Sequence, residues 1–379
     1  MPASPAMVAP AQPAQDRRQG GNAPVALIPF VRAADEHVEP ILDLSVQLDA
    51  NPHPVGGVVD VPSFGFLRSL VVQVNATGGT GAAAVAHEDA PWGIISEIAV
   101  QDIAGSYIFG PLSGHDLYLA CKYGGTAGWF ADPALNPSFS AVAATGNFAF
   151  LIRVPLEISL RDALGALPNQ NSASTYKLRI TMGNNASVYT TNPTTSPSVR
   201  FRVSAEEWTP PDAADLAGRA QETVPPDMGT TMFWTKSPRN VNAGNQTVRL
   251  DRVGNLIREL ILVYRQTATG LRDTVDFPDP LQLTWDNHNI FNAYRDIIRA
   301  YMYERYGYTT LETGVFVLDF IHEMAGKAGN ELRDLWMPTT QASRIDLVGN
   351  FVLAGTVSIL TCDVQPVGDV YAGESMGRP

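Results

Sequence analysis

The sequence predicts an all-β protein made of two β-sandwich domains of one design in tandem. Short apolar segments recur from Ile41 onward between Gly, Pro, Asn and Ser residues, which is the pattern of strands joined by turns. A length of 379 residues suits about two domains of ordinary size. The order of segments in the first half returns in the second half, which indicates one scaffold used twice.

The first half contains a series of strands and one helix. Apolar side chains that alternate along a strand share one face of it. Such alternation is found at Leu70, Val72 and Val74 and again at Phe148, Phe150 and Ile152. The segment Ser113 to Tyr123 has helical apolar spacing, with Ser113 as its N-cap. Further strands are predicted at 94–101, 174–182 and 198–205.

A proline-rich break separates the halves at 209–229. It holds Pro210-Pro211 and Pro225-Pro226, and paired prolines at both ends predict a semi-rigid linker. Between them, Asp212 is expected to cap one or two helical turns.

After the break the series starts again. The segment 291–306 is helical in spacing and predicts a helix that begins at Phe291. Strands are expected at 344–353 and 355–362. The residues expected on one face of a strand or helix are Leu260, Leu262 and Tyr264; Ile297, Ile298, Tyr301 and Met302; and Phe316, Leu318 and Phe320.

The internal repeat can be followed residue by residue. Phe66-Leu67-Arg68-Ser69-Leu70 matches Leu256-Ile257-Arg258-Glu259-Leu260, an offset of 190 positions (258 minus 68). Three further matches follow in the same order: Lys122-Tyr123-Gly124 with Arg305-Tyr306-Gly307, Gly146 with Gly314, and Leu167-Pro168 with Met337-Pro338. Segment order is kept while loop length varies, as expected of a duplicated scaffold.

This ordered repeat, with a helix in the same slot of each half and a short linker at 209–229, resembles the double jelly-roll major capsid proteins of tectivirus-like phages. The resemblance covers residues 42–366. It implies two tandem eight-stranded jelly-roll β-sandwiches, each with a helix in the loop between its sixth and seventh strands. The domains are then an N-terminal arm at 1–41, a first jelly roll at 42–208, the linker, a second jelly roll at 230–366 and a C-terminal tail at 367–379.

The same resemblance implies a structural role without enzymatic activity. It implies a major capsid protein that assembles as pseudo-hexagonal homotrimers into an icosahedral shell around an internal membrane. The partners would be neighbouring capsomers and the minor capsid and vertex proteins. The N-terminal arm, whose first 25 residues lack core-forming side chains, would contact the internal viral membrane or adjacent capsomers. The protein would be made in the host cytoplasm and reside in the virion shell.

Two other functions remain open at this stage. One is a carbohydrate-binding or glycan-cleaving double β-sandwich protein, which would use an exposed aromatic residue such as Trp129. The other is a minor vertex or spike protein of the same virion, which copy number per particle would distinguish from the major subunit.

Composition excludes some functions. The formal net charge is −12, and no cluster of Lys and Arg is present to replace counterions on phosphates, so no direct nucleic-acid binding is expected. We expect no signal peptide and no membrane-spanning helix, since apolar runs such as Phe351 to Leu360 are too short. Cys121 and Cys362 are expected to be buried free thiols.

We expect no catalytic residue, no cofactor and no metal site. His322-Glu323 begins like a zinc-protease motif, but Gly326 stands where the second His is required. The six His residues show no ligand spacing. The run Asp286-Asn287-His288-Asn289 offers oxygen ligands, but it reads better as a polar turn in which Asn287 or Asn289 caps the helix at 291.

Other motifs also have structural interpretations. Gly78-Gly79-Thr80-Gly81 lacks the ending of a phosphate-binding loop and predicts a loop between strands. Ser113-Gly114-His115-Asp116 holds the residue types of a catalytic triad, yet it reads as the start of a helix. Two carboxylate pairs, Glu206-Glu207 and Asp273 with Asp276, are expected to face solvent rather than a glycoside.

Aromatic residues are expected at packing or subunit contacts. Most tryptophans lie near the edges of predicted strands or the linker. The tryptophans are Trp92, Trp129, Trp208, Trp234, Trp285 and Trp336. A cluster of Arg and Tyr within 294–308 suits either a buried helix rim or a trimer contact, of which we favour the contact. Its members are Tyr294, Arg295, Arg299, Tyr301, Arg305 and Tyr306.

Overall fold

The computed structural model describes residues 27–124, 133, 136–159, 161–286, 288–308, 310–320, 336–340, 342 and 344–365. The helices in this part are α1 (Phe30–Ala33), α2 (Gly114–Tyr123), α3 (Asn185–Val188) and α4 (Arg295–Tyr306). The strands of the first half are β1 (Glu36–Gln47), β2 (His53–Asp60), β3 (Phe66–Thr77), β4 (Val85–Ala86), β5 (Ile95–Gln101), β6 (Tyr107–Leu112), β7 (Phe148–Pro155), β8 (Leu167–Pro168), β9 (Lys177–Met182), β10 (Tyr189–Thr191) and β11 (Ser198–Trp208). Those of the second half are β12 (Thr231–Val241), β13 (Gly244–Arg249), β14 (Leu256–Gln266), β15 (Leu281–Trp285), β16 (His288–Ala293), β17 (Val315–Asp319), β18 (Met337–Pro338), β19 (Ile345–Phe351) and β20 (Gly355–Gln365).

Each half is a jelly roll. In the first half, one sheet has the order β1-β11-β3-β7 and the facing strands have the order β2-β9-β5-β6. In the second half the orders are β12-β20-β14-β17 and β13-β19-β15-β16. With the two- and three-residue strands set aside, both halves read 1-8-3-6 and 2-7-4-5, which is the strand order of an eight-stranded jelly roll. The predicted fold class is confirmed.

The long helix of each half does not lie where the resemblance implied. Among the eight long strands, α2 follows β6 and α4 follows β16, which are the fifth strands of their rolls. The helix therefore lies between the fifth and sixth strands, and the expected place between the sixth and seventh is wrong. Local spacing identified the helix, but its place among the strands depends on which segments pair in the sheets, and local spacing does not contain that information.

The internal repeat is visible in strand pairing. Leu67 pairs with Leu167 just as Ile257 pairs with Met337. The pairing of the third strand with the eighth skips Arg68 in one roll and Arg258 in the other, so both rolls have an irregularity at the same position. The offsets of 190 and 170 positions between matched residues therefore hold in three dimensions.

One sequence match is out of register. Val72 pairs with Ile152 in the first roll, and Leu262 pairs with Phe316 in the second. Since Leu262 is the counterpart of Val72, Phe316 is the counterpart of Ile152. The match of Gly146 with Gly314 had placed Phe316 opposite Phe148, four residues away, because a Gly-x-Phe pattern carries no information on pairing.

The two rolls share a sheet. Phe109 of β6 pairs in parallel with Trp234 of β12, and this joins the second sheet of the first roll to the first sheet of the second roll. The result is one nine-stranded sheet with the path β17-β14-β20-β12-β6-β5-β9-β2, to which β18 adds through β14. The two halves are thus connected by backbone hydrogen bonding as well as by the linker.

Helix α2 begins as predicted. Ser113 and Asp116 form a reciprocal capping box, in which the Ser113 hydroxyl accepts a hydrogen bond from the Asp116 backbone N–H. Helix α4 begins four residues later than predicted, with Tyr294 as an N-cap that makes no side-chain capping bond. Residues 291–293 belong to β16, which pairs with β15. Asn289 lies in that strand, so it is not a cap, and Asn287 lies outside the described residues.

Of the four residues expected on the buried face of α4, two are buried and two are not. Ile298 and Met302 are buried, each with 1% of its surface exposed. Ile297 and Tyr301 are 45% and 42% exposed, so they lie at the edge of the apolar face and look outward. The strand prediction for Phe316 and its neighbours holds through Asp319, where β17 ends.

The domain boundaries proposed from the sequence can be compared with the first and last strands of each roll. Strand β1 begins at Glu36, so the boundary placed between residues 41 and 42 falls inside it. Strand β11 ends at Trp208 and β12 begins at Thr231, on either side of the proposed linker. The helical turns expected after Asp212 are absent from this described segment, where Asp215 instead binds the backbone of Arg219 in a turn. Residues 1–26 and 366–379 lie outside the described part.

The cores are formed by the predicted alternating residues. Leu70, Val72 and Val74 are fully buried. Strand β14 is buried on both faces along most of its length, because its alternate residues pack into two different core clusters, one of which it shares with the first roll. Cys121 and Cys362 are buried and free, as predicted, and burial raises the pKa of each thiol to about 12. Within the described residues, no helix combines the length and apolar character needed to cross a bilayer.

Candidate functional site

The most strongly built polar region of the described chain is the contact between the two rolls. Helix α2 of the first roll supplies one side of it, because every residue from Gly114 to Tyr123 is buried. The Gly124 backbone passes close to the indole of Trp234, and an added Cβ would lie 2.8 Å from its Cζ2 atom. A glycine after the helix therefore permits the close approach of β12.

A first charged cluster joins α2 to the segment before β17. The Lys122 ammonium lies 2.5 Å from the Glu312 carboxylate, and the hydroxyls of Tyr118 and Tyr123 donate hydrogen bonds to the two oxygens of that carboxylate. The Tyr308 hydroxyl donates to the backbone oxygen of Lys122 at 2.8 Å. Burial alone would raise the pKa of Glu312, but Lys122 and the two hydroxyls outweigh it and the pKa is lowered.

A second cluster joins the other end of α2 to β14 and the loop after it. Arg265 binds Glu88 and also Asp89, at 2.8 Å from one oxygen of Asp89. The Arg272 guanidinium donates to Nε2 of His115 at 2.8 Å, which makes that ring nitrogen the acceptor. Burial lowers the pKa of His115 to about 4, with the Asp89 charge opposing this shift and the Arg272 charge adding to it.

A third ion pair completes this contact. The Lys236 ammonium of β12 lies 2.6 Å from the Asp116 carboxylate, which also caps α2. Burial alone would raise the pKa of Asp116, but the Lys236 charge dominates and lowers it. The run Ser113 to Asp116 thus serves helix capping and inter-domain pairing, and its Ser and His are not hydrogen-bonded to each other.

The fold separates Glu206 from Glu207 but keeps Asp273 and Asp276 in one turn, and the expectation that both pairs face solvent is wrong for Glu207 and Asp276, which are buried. Glu206 accepts hydrogen bonds from Ser69 and from Arg153 at 2.8 Å, whereas Glu207 points to the other face of β11 and is 1% exposed. Burial raises the pKa of Glu207 to about 7. Asp273 accepts backbone hydrogen bonds within its own turn, and Asp276 accepts one from Gln266.

The remaining motifs occupy turns or lie outside the described residues. Gly78–Gly81 is a turn between β3 and β4, with φ of 82° at Gly78 and 99° at Gly81. Asp286 sits in the β15–β16 turn, and its carboxylate accepts from the Arg344 backbone N–H at 2.8 Å. His322, Glu323 and Trp129 lie outside the described residues. Four tryptophans are buried, with at most 5% of their surface exposed: Trp92, Trp208, Trp234 and Trp336.

The Arg and Tyr cluster divides into an inner and an outer set. Arg295 and Arg299 donate to backbone oxygens, and Arg305 pairs with Asp319 at 2.7 Å. The outer set points to solvent and is apolar or aromatic. It consists of the cluster members Tyr294 and Tyr301 with their exposed neighbours Ile297 and Tyr303, each 42–64% exposed, whereas Tyr306 belongs to the inner set and donates to Asp319 at 3.0 Å.

Sequence reasoning missed the inter-domain clusters. Glu88 and Arg272 are 184 positions apart, and no local pattern links them. The matched repeat was the one signal in the sequence that bears on these clusters. It identified α2 and the third strand of each roll, which carry some of the charged residues. No pattern within either half indicates how one roll is oriented against the other.

Comparison with known proteins adds the fold relationship. No protein-family model matches the sequence, and no curated protein matches it. Solved structures do match. The structure of the STIV MCP has 14% identity and a TM-score of 0.62 over 91% of this chain and 100% of that chain. The chain shares the double jelly-roll fold.

Two further matches agree with this. The atomic structure of Sulfolobus turreted icosahedral virus gives a TM-score of 0.64 at 14% identity, over 91% of this chain and 94% of that chain. The structure of VP54 of PBCV-1, fitted into a reconstruction of the virophage Sputnik, gives 0.53 at 10% identity, over 87% and 94%. The matches cover most of this chain and nearly all of each of those chains.

Proposed function

We propose that this chain is a major capsid protein that forms the shell of an icosahedral virus. The observation that carries the proposal is the double jelly roll itself, which the chain shares over 91% of its length with the STIV MCP. A chain with two similar rolls gives six similar units when three chains form a ring, so such a ring has near-sixfold symmetry and can tile a shell. The virion shell is the location that follows from this role.

We propose the homotrimer as the assembly unit. The support is the outward set of apolar and aromatic residues on α4, whose composition suits a subunit contact, together with the two similar rolls. The internal membrane and the contact of the N-terminal arm with it belong to the same proposal and rest on the family resemblance. A carbohydrate-binding role is not favoured, because the solved structures that share this fold over most of the chain are those of viral capsid proteins.

The test is the mass and shape of the purified protein. Light scattering after size exclusion should give about three times the chain mass of 40.8 kDa, and negative-stain images should show particles with a hexagonal outline. A strictly monomeric species at micromolar concentration would contradict the trimer. Protein quantification in purified virions separates the major subunit, present in hundreds of copies, from a minor spike protein.

A further inference from the structure

Three side chains with metal-binding atoms converge at one end of the first roll. His37 and Glu39 lie on β1 and Glu207 lies on β11, and one ligand atom from each lies within 4.8 Å of the other two. In the part of the chain that the structure describes, this is the one set of three His, Cys, Asp or Glu residues that meets this distance.

The strand register brings them together. His37 stands directly opposite Glu207 in the antiparallel pairing of β1 with β11. Glu39 follows two positions later on β1, so its side chain lies on the same face as that of His37. The convergence is therefore fixed by the backbone of the first and last strands of the roll, and it does not depend on a loop.

The Glu207 carboxylate is buried with an unused oxygen. Its Oε1 accepts a hydrogen bond from Asn169 at 3.0 Å. Its Oε2 is shielded from solvent and has no hydrogen-bond partner among the described residues, and no Lys or Arg in that part forms an ion pair with it. A buried carboxylate without a cation is costly, so this group needs a positive partner or a proton.

The other two side chains form an open rim above it. The His37 and Glu39 side chains are 40% and 42% exposed, and the His37 Nε2 lies 3.9 Å from a Glu39 oxygen. The ring of Phe64 packs against the imidazole with centroids 4.3 Å apart. The rim is therefore open to solvent, Glu207 forms its closed floor, and Phe64 restricts the imidazole.

We propose that His37, Glu39 and Glu207 bind a divalent transition-metal ion of the Zn²⁺ type, with water at the remaining positions. One imidazole nitrogen with two carboxylates suits such an ion, since imidazole favours transition metals over Ca²⁺ and Mg²⁺. Bonds of about 2.1 Å place tetrahedral ligand atoms about 3.4 Å apart, so the side chains close by roughly 1 Å on binding. The ion neutralises the buried carboxylate and fastens the first strand of the roll to the last, beside the linker.

The test uses the full chain stripped with a chelator and then titrated with ZnCl₂ alone. Calorimetry should show one Zn²⁺ per chain, and Zn²⁺ should raise the Tm whereas equal Ca²⁺ or Mg²⁺ should not. The variants His37→Ala and Glu207→Gln should each weaken Zn²⁺ binding at least tenfold. Glu207→Gln keeps an acceptor for Asn169, so it tests the site even if His37→Ala does not fold.

A matched control distinguishes this site from general histidine binding. His53 lies 2.9 Å from Asp49 but belongs to no such set of three among the described residues, so His53→Ala should bind Zn²⁺ as the unaltered chain does. The proposal is overturned if the stripped chain binds no Zn²⁺, or if Glu207→Gln binds it as tightly as the unaltered chain. Neither result bears on the capsid role, which the particle mass tests separately.

Discussion

Arg68 and Arg258 occupy the same position in the two jelly rolls, and both are buried. Each is the residue that the pairing of the third strand with the eighth strand skips. Each guanidinium lies near an indole, that of Arg68 over Trp208 at 4.0 Å and that of Arg258 at 5.7 Å from Trp336. The duplicated scaffold has therefore kept a buried cation at an irregular point of both sheets.

Replacing Arg68 should destabilise the first roll strongly. Arg68 pairs with Glu157 at 3.0 Å, and burial raises the pKa of Glu157 even though Arg68 and Trp208 oppose the shift. Arg68→Met leaves that carboxylate without its cation, which should cost about 3–5 kcal/mol of unfolding free energy. Denaturant unfolding of Arg68→Met, Glu157→Gln and the double variant measures the coupling, which we expect at about 1–3 kcal/mol. Additive losses would contradict the pair.

The contact between the rolls should weaken as the pH falls. The pKa of His115 is lowered to about 4 in the folded chain, so the unfolded chain takes up a proton first, at about pH 6.5. Stability that is present above pH 6.5 should then be lost on the way to about pH 4, on the order of 2–3 kcal/mol.

The variant His115→Gln tests this pH dependence. Its side-chain oxygen can still accept from Arg272, but it does not titrate. Thermal unfolding between pH 7 and pH 4.5 should fall less steeply for the variant than for the unaltered chain. Equal slopes would show that His115 does not carry the effect. Below about pH 4 both should fall, because Asp116 and Glu312 have lowered pKa values.

A methyl group at Gly114 should disturb the docking of α2. A Cβ there would lie 2.1 Å from the backbone oxygen of Trp92 and 2.9 Å from the Ile95 Cβ, and neither atom can move freely. Gly114→Ala should therefore cost more than the loss of the helix cap in Ser113→Ala, which is expected at about 1 kcal/mol. Chemical denaturation of both variants compares them, and a Gly114→Ala variant as stable as the unaltered chain would refute the close packing.

The outward face of α4 should matter for assembly but not for folding. Ile297 and Tyr301 are exposed, so changing both to Ser should alter the unfolding free energy by no more than about 0.5 kcal/mol. If they lie at the centre of a subunit contact, the trimer should weaken at least tenfold. Ile103→Ser, at a site 60% exposed in the turn after β5, is the matched control. Unchanged light-scattering mass in the α4 variant would place the contact elsewhere.

Local sequence patterns predicted the strands and helices well where the burial of one face determines the secondary structure. The alternation of Leu70, Val72 and Val74 identified β3, and the Ser113 capping residue identified the start of α2. The start of α4 was wrong, because the residues of β16 fit a helical spacing and become a strand through pairing with β15. That pairing is a tertiary interaction, which a local period does not contain.

The polar sites were beyond sequence reasoning for a related reason. In the sequence Glu207 pairs with its neighbour Glu206, although in the structure the two side chains point to opposite faces of the strand. Its partner His37 is 170 positions away (207 minus 37) and is brought to it only by the β1–β11 register. The same holds for Lys122 and Glu312. Residue type suggested that these groups could carry chemistry, but chain-distant pairing determined which of them meet.

The joint between β6 and β12 gives the chain a polarity. It unites the fifth strand of one roll with the first strand of the next. In the described sheets, the corresponding strands at the far ends, β16 and β1, are terminal strands. The molecule thus has a head and a tail, each displaying one half of the joint used inside it. Copies that repeated such a joint between chains would meet head to tail, and contacts of that kind form a ring where the rotation between copies closes and an open filament where it does not.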